Sequence, residues 1–221
     1  AIRQALPLKK IIDHKLKGTG VLADSFMSKA FPHYYLDLNN YEYSPDKSRS
    51  LLVKHGYNQS NKLKLDWIVS NNKSSIEMVN TFKHYLEKVN VSVHIITQEW
   101  GTFRSSQKKG KFDLFMGQWV GFTGPDILNF VFHSEKFAPK GANRGYYKNS
   151  QVDSLLDKAV VSNQAGHRHK MYKDVLKIVD RDLPYISLWH PKITWISRKC
   201  VKNLNLLPNG SFLSLLNIKN S

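Results

Sequence analysis

The chain has 221 residues, of which 41% are hydrophobic and 23% are charged, and its formal net charge is +16. This balance is typical of a globular protein with a core and argues against disorder. No apolar run approaches the roughly 18–20 residues that a transmembrane helix requires, and the lone Cys200 excludes an intrachain disulfide.

The opening stretch, AIRQALPLKKIIDHKLKGTG, lacks the continuous apolar region and cleavage site of a signal peptide. We expect a basic helix over residues 1–17, ended by Gly18 and Gly20, and we expect the chain to begin midway through a helix of a longer protein. Residues 21–43 are predicted to be irregular. A short helix should follow, with Ser44 as its cap, Pro45 at its first position and Gly56 as its stop.

Alternating helix and strand signals follow. Residues 62–70 alternate as a strand does, and VSVHIITQ predicts a second strand. Between them, apolar residues at helical spacing predict an amphipathic helix, and Ser74 with Glu77 forms a capping-box pattern. TFRSSQKKG is then predicted to be a short helix with a turn, and KFDLFMGQW a third strand. This order indicates βαβ units with parallel strand pairs.

The second half is predicted to be mainly helical, with strands near its end. PDILNFVFHS predicts a short helix, and two longer helices flank the polar linker NQAG. DLPYISLWHP predicts a strand that starts at Pro184, and ITWISRKCV is compatible with its continuation. The fold class is therefore α/β or α+β.

The positive charge raises the possibility of a nucleic-acid-binding domain. However, no run reaches five or six like charges, and the lysines are spread along the chain as on a solvated surface. A nucleic-acid domain remains the alternative function, and its signature would be an affinity that falls steeply with salt.

The sequence contains no evident catalytic or metal-binding motif, so we expect neither an enzyme nor a cofactor. His167 and His169 are two residues apart and cannot share a helix face, and His84 should be solvated. Cys200 has basic neighbours but no histidine base, so we expect it to be inert. Glu99, Asp113 and Asp126 surround a tryptophan-rich segment without the spacing of an acid–base pair.

That segment, EWGTF…KGKFDLFMGQWVGFTGPDILNFVFHS, resembles the C-terminal lobe of family 5 extracellular solute-binding proteins. These are the oligopeptide and dipeptide receptors of bacterial ABC importers. IRQAL…KKIIDHKLKGTG, YSPDKSRSLLVKHGY, GANRGYYKNSQVDSLLDKA and HKMYKDVLKIVDRDLPYISLWHP are similar to further segments of that lobe, in the same order.

The resemblance implies one lobe of a type II periplasmic-binding-protein fold, with a mixed sheet and flanking helices. Residues 1–197 would form the C-terminal ligand-binding lobe, and residues 198–221 a tail that packs on an N-terminal lobe outside this chain. The implied function is non-catalytic binding of a peptide or similar solute in the periplasm or cell envelope. The implied partner is an ABC permease in the inner membrane, and no nucleic acid is expected.

The resemblance also suggests the site. In peptide-binding members, tryptophans at the positions of Trp100 and Trp119 line the ligand cavity, and Gly121 would let the backbone approach the ligand. The alternative for Trp100 is that it packs its helix onto the sheet. Arg144 and Tyr146 lie where the chain returns near the cleft, and we include them as candidates.

One position departs from the family pattern. The peptide receptors have an aspartate, three residues after the second tryptophan, that pairs with the peptide ammonium group, and this chain has Phe122 there. Either Asp126 supplies the anion from a shifted loop, or the ligand has no free amine at this point. Asp126 has a further interpretation as the N-cap of a helix over residues 127–133.

Overall fold

The computed structural model describes residues 1–38, 42–207, 211–216 and 218–220. The described elements of the first half are α1 (Ile2–Ala5), α2 (Leu8–Ile11), a π-helical turn (Ile12–Leu16), β1 (Gly20–Leu22), α3 (Pro45–Lys54), β2 (Leu63–Ser70), α4 (Lys73–Leu86), a 3-10 turn (Glu87–Val89), β3 (Val91–Gln98) and α5 (Trp100–Lys108).

The described elements of the second half are β4 (Leu114–Phe115), α6 (Asp126–Phe132), a 3-10 turn (Ser134–Lys136), α7 (Ser150–Val161), α8 (Ala165–Asp182), β5 (Trp189–Pro191), β6 (Val201–Lys202), a 3-10 turn (Phe212–Leu215) and β7 (Lys219–Asn220). No helix within these described stretches is both long and apolar enough to cross a membrane.

A parallel sheet with the strand order β3-β2-β4 forms the centre of the first half. β2 and β3 pair along their whole length, from Leu63 opposite Val91 to Ser70 opposite Gln98. Helix α4 connects β2 to β3. Helix α5 connects β3 to β4, and β4 pairs with the edge of β2 opposite to β3. The predicted βαβ organisation is therefore confirmed.

Antiparallel pairing joins more distant parts of the chain. β1 pairs with β5, which brings Gly20 opposite Pro191, and β6 pairs with β7. The protein therefore has parallel and antiparallel pairing together with flanking helices, as the predicted α/β class requires.

The first hydrophobic cluster lies between the parallel sheet and helices α1 to α4. The ring of Trp67 stacks on that of Phe82, with centroids 5.7 Å apart and planes 10° from parallel. The apolar face predicted for α4 points into this cluster, whereas His84 is exposed, as expected. The buried members are Ala5, Leu6, Leu8, Ile11, Leu52, Trp67, Val69, Met78, Val79, Phe82, Leu86, Val89, Val91 and Val93.

The second hydrophobic cluster lies among α6, α7 and α8. Phe132 is at its centre and makes edge contacts with Phe26 and Tyr185. The buried members are Met27, Leu128, Val131, Phe132, Val152, Leu156, Ala159, Tyr172, Val175, Leu176, Ile178 and Val179. An ion pair between Arg3 and Asp180, with nitrogen and oxygen 3.2 Å apart, connects helices of the two clusters.

Two helix starts test the capping predictions. The Ser44 hydroxyl accepts a hydrogen bond from the Lys47 amide at 3.4 Å, so the predicted cap of α3 is confirmed. The capping box predicted for α4 is wrong, because Asn72 is the cap and accepts from the Ser75 amide at 3.2 Å. Ser74 instead donates its hydroxyl to the Asn72 side chain.

The predicted helix over residues 1–17 is interrupted. α1 ends at Ala5 and α2 begins at Leu8, because Leu6 is extended and Pro7 lacks the amide hydrogen that a continuous helix requires. The last helical turn ends at Leu16, and Lys17 takes a left-handed conformation before Gly18.

The second half also differs from its predicted boundaries. Ala165 and Gly166 belong to α8 rather than to the polar linker. The third strand is only Leu114–Phe115. Just before it, the Asp113 carboxylate accepts from the Asp66 amide at 2.7 Å, and the Asp113 amide donates to the Asp66 carbonyl at 3.1 Å. The strand predicted from Pro184 is limited to β5, whose partner β1 is equally short. Its predicted continuation over ITWISRKCV is wrong, because that segment lies outside the strands up to its last residue, Val201, where β6 begins.

Candidate functional site

The carboxyl ends of the three parallel strands define the candidate site. β2, β3 and β4 end at Ser70, Gln98 and Phe115, on the same edge of the sheet. Ligands of parallel α/β sheets bind in the crevice outside such an edge. Trp100 follows directly after β3, and the Trp119 segment follows β4, so the topology places both segments at this edge.

Glu99 fixes the start of α5. Its carboxylate accepts hydrogen bonds from the amides of Gly101 at 2.7 Å and Thr102 at 3.4 Å. This is the N-cap arrangement, and a negative charge is favourable there because of the helix dipole. The Glu99 carboxylate therefore stabilises the helix that presents Trp100.

Trp100 is not a core residue. Its side chain is 59% exposed, whereas Phe103 on the same helix is buried. The two rings are tilted against each other with centroids 5.8 Å apart. Phe103 is therefore the aromatic residue that α5 buries, and the alternative that Trp100 packs this helix onto the sheet is wrong.

Trp119 and Arg144 lie against each other. The guanidinium carbon of Arg144 is 5.2 Å from the centroid of the Trp119 ring and 5.9 Å from that of Phe115. The Trp119 side chain is partly buried and packs against the second hydrophobic cluster. The structure thus brings two of the candidate residues together, with Phe115 as a third contact.

Arg104 is a site residue that sequence reasoning missed. Its guanidinium carbon is 5.8 Å from the centroid of the Trp100 ring, and it donates to the Gln107 side chain at 3.0 Å. Burial, followed by the nearby positive charge of Arg104, lowers the pKa of Arg144. The spacing of Trp100 and Arg104, four residues apart on one helix, was the signal that could have found this pair.

Phe122 faces the second hydrophobic cluster. Its ring stacks on that of Phe31, with centroids 5.3 Å apart and planes 22° from parallel. A phenyl group in this position contributes apolar contact and carries no charge. Gly121, immediately before it, has a φ of +77° and nothing within 4 Å of where a Cβ would stand.

Asp126 is the first residue of α6, and the N-cap is Pro125. The prediction that Asp126 caps the helix is therefore wrong, since its side chain makes no capping hydrogen bond. It accepts instead from the Tyr172 hydroxyl at 3.2 Å. Burial, then the charge and the hydrogen bond of Asp126, raise the pKa of Tyr172 to about 12.

Tyr146 stands apart from the Trp119 contact. It is 48% exposed and has a φ of +52°. Its ring lies 5.2 Å from that of Phe137, and a Cβ on Gly110 would stand only 2.7 Å from it. Gly110 therefore allows Tyr146 to cover the turn that precedes β4.

The two histidines of the HRH segment have separate environments. The ring of His169 stacks on that of His33 with centroids 5.1 Å apart, whereas His167 is exposed. Burial and the His33 ring lower the pKa of His169. Within the described part of the chain, no group of three potential ligands could hold a metal ion.

The model of the bacterial extracellular solute-binding proteins of family 5, in its middle portion, matches residues 1–138. The chain therefore belongs to this family. Heme-binding protein A of Haemophilus influenzae is 27% identical over 197 residues, which are 86% of this chain and 35% of that protein. Di/tripeptide-binding protein 1 of Pseudomonas aeruginosa is 26% identical over 95% of this chain and 40% of its own length.

The fold of the chain is similar to that of a solved structure. The periplasmic binding protein DppA of Helicobacter pylori, in complex with the peptide STSA, superimposes with a TM-score of 0.82 at 20% identity. The match covers 99% of this chain and 43% of that protein, so the chain has the fold of one part of a type II periplasmic binding protein. The chain spans 35% of the length of the Haemophilus protein and 40% of that of the Pseudomonas protein. It likewise spans 41% of the length of the glutathione-binding protein of Salmonella typhimurium.

Proposed function

We propose that this chain is the C-terminal lobe of the solute-binding component of a bacterial ABC importer. It would bind a peptide or similar small solute in the periplasm or cell envelope and deliver it, without catalysis, to an ABC permease in the inner membrane. The observation that carries the proposal is the aromatic wall at the carboxyl edge of the parallel sheet. It is formed by the exposed Trp100 and the partly buried Trp119, Arg104 and Arg144.

The chemistry of this wall suits a receptor for peptides. Flat aromatic surfaces contact varied side chains, while a few fixed polar groups orient the ligand backbone. Trp100 and Trp119 supply such surfaces, and Gly121 leaves open space beside the second. The names of the di/tripeptide-binding relative and of the peptide complex support the same solute class.

The tail supports the proposed division of the chain into a lobe, residues 1–197, and a segment, 198–221, that packs on an N-terminal lobe. In the tail, Phe212, Leu213 and Leu216 are 77%, 63% and 76% exposed. An apolar surface of this kind is normally covered by another protein surface. The N-terminal lobe is the proposed occupant, and its closure on this one would complete the cleft.

Native mass spectrometry of the complete protein, purified gently without added solute, tests the function. We expect a series of co-purified masses that fragment as short peptides. Trp119→Ala should reduce their occupancy, whereas Val161→Ala, on the exposed end of α7, should leave it unchanged. A single non-peptide mass would contradict the peptide class, and a bare protein mass would contradict tight capture of abundant peptides.

A further inference from the structure

Arg104 and Arg144 are cations for which no carboxylate partner is found in the described part of the chain. Among the residues that the structure describes, neither guanidinium forms an ion pair with a carboxylate. The described contacts of the Arg104 group are the neutral Gln107 oxygen and the Trp100 ring, and those of the Arg144 group are the rings of Phe115 and Trp119. An arginine that is partly buried normally has an anionic partner.

The two guanidiniums lie at the same edge of the sheet, one beside Trp100 and the other beside Trp119. The positive charge of Arg104 contributes to the lowered pKa of Arg144, after burial. Two like charges held together are costly unless an anion compensates them. An anionic ligand would relieve this repulsion, and each guanidinium would offer it several N–H donors.

Both side chains are positioned before any ligand arrives. Arg104 is held on α5 by Gln107, whose side chain is buried. The backbone amide of Arg144 donates to the Ala142 carbonyl at 2.9 Å and lies 3.3 Å from the Tyr185 hydroxyl oxygen. The aromatic contacts help to hold each guanidinium in place, and a guanidinium carries its N–H donors on its edge.

The candidate anions of the site are engaged elsewhere. Asp126 accepts from Tyr172, and the Glu99 carboxylate accepts from the amides of the first turn of α5. The described ion pairs therefore leave the positive charge of the two arginines without a direct carboxylate partner. We propose that Arg104 and Arg144 form an anion subsite that binds a carboxylate of the solute. This inference rests on the proposed function and specifies the polarity of the ligand group that meets the aromatic wall.

Isothermal titration calorimetry on the complete protein tests the subsite with three synthetic peptides. Ala-Ala-Ala carries a terminal carboxylate, Ala-Ala-Ala amide carries none, and Ala-Glu-Ala amide carries one only on its side chain. We expect the amide without any carboxylate to bind on the order of 30-fold more weakly than a peptide whose carboxylate reaches the subsite. The glutamyl peptide distinguishes a side-chain source from a terminal one.

Arg104→Gln with Arg144→Gln should remove this discrimination, so that all three peptides bind with similar, weak affinity. Lys108→Gln with Lys158→Gln removes the same net charge from exposed positions and should preserve it. If the double arginine variant does not fold, Arg104→Gln alone replaces it, because Arg104 lies on a helix surface where glutamine should be tolerated. This single change should reduce the discrimination.

The outcomes separate the two proposals. If all three peptides bind equally well, or if discrimination survives in the arginine variant, the anion subsite is wrong and peptide binding stands. If none of the peptides binds, the proposed peptide function fails, and the inference that rests on it fails as well.

Discussion

The hydroxyl of Tyr172 donates a hydrogen bond to the carboxylate of Asp126 over 3.2 Å. Tyr172 is buried in α8, and Asp126 is the first residue of α6. The bond therefore connects these two helices at the point where the glycine-rich segment after Trp119 ends. It gives Asp126 a structural role that no helix-capping pattern predicts.

Removing this bond should destabilise the chain moderately. We expect Tyr172→Phe and Asp126→Ala each to lower the free energy of unfolding by about 1 kcal/mol, since a hydrogen bond to a partly solvated carboxylate contributes about that much. Asp126→Asn should cost less, because the amide oxygen still accepts. Urea unfolding provides the measurement.

The double variant supplies the control for this prediction. If the two groups act through one bond, the cost of Tyr172→Phe with Asp126→Ala should be smaller than the sum of the single costs. Strict additivity would show that the two side chains do not interact in solution.

The cap of α4 is testable with neighbouring residues. Asn72→Ala should cost about 1 kcal/mol of unfolding free energy, because it leaves the Ser75 amide without its acceptor. Ser74→Ala should cost clearly less, since the Ser74 hydroxyl only donates to Asn72. Equal costs, or a larger cost at Ser74, would favour the capping box that the sequence suggests.

Trp100 should matter for binding and not for folding. Because its side chain is 59% exposed, Trp100→Ala should change the unfolding free energy by less than about 0.5 kcal/mol. In the complete protein, the same change should weaken binding of Ala-Ala-Ala. Phe103→Ala, which removes the buried ring beside it, should instead destabilise the fold by about 3–5 kcal/mol. A destabilised Trp100→Ala variant would contradict this division.

His190 should make stability depend on pH. Its Nε2 lies 3.1 Å from the Ser25 carbonyl oxygen, and burial lowers its pKa below the ordinary 6.5, although Ser25 and Asp24 oppose the shift. As the pH falls below about 6.5, the unfolded chain gains a proton more readily than the folded one. Stability is therefore present at neutral pH and declines towards acid.

The measurement is urea unfolding at several pH values between 7 and 5. We expect the loss of unfolding free energy over this range to be smaller in His190→Gln than in the unmodified chain. His84→Gln, which removes an exposed ring, is the matched control. An identical loss in His190→Gln would mean that His190 does not titrate in this way.

Much of the fold follows from local patterns. The alternation of residues 62–70 and the helical spacing from Ile76 to Val89 both correspond to observed elements. The helix buries one face, whereas the strand alternates only in its first half and is buried from Trp67 to Ser70. The length of β4 could not be predicted from local sequence, since β4 pairs with β2, a strand more than forty residues earlier in the chain. Pro7 is the opposite case. It is a local signal in the sequence, but the interruption of the helix at Pro7 was not predicted.

The site was less accessible from sequence. Trp100 and Trp119 could be singled out only through the resemblance to a family. Arg104 carries no motif, and its importance comes from Trp100 on its own helix and from Arg144, forty residues further along the chain. Asp126 had a plausible local role as a cap, but a tertiary partner, Tyr172, determines its contact.

The most direct test of the proposed site is a crystal structure of the complete protein with the solute that co-purifies with it. We expect ligand atoms within about 4.5 Å of the Trp119 ring and an acidic ligand group at hydrogen-bond distance from Arg144. A solute bound elsewhere, with Trp119 and Arg144 facing bulk water, would contradict the proposed site.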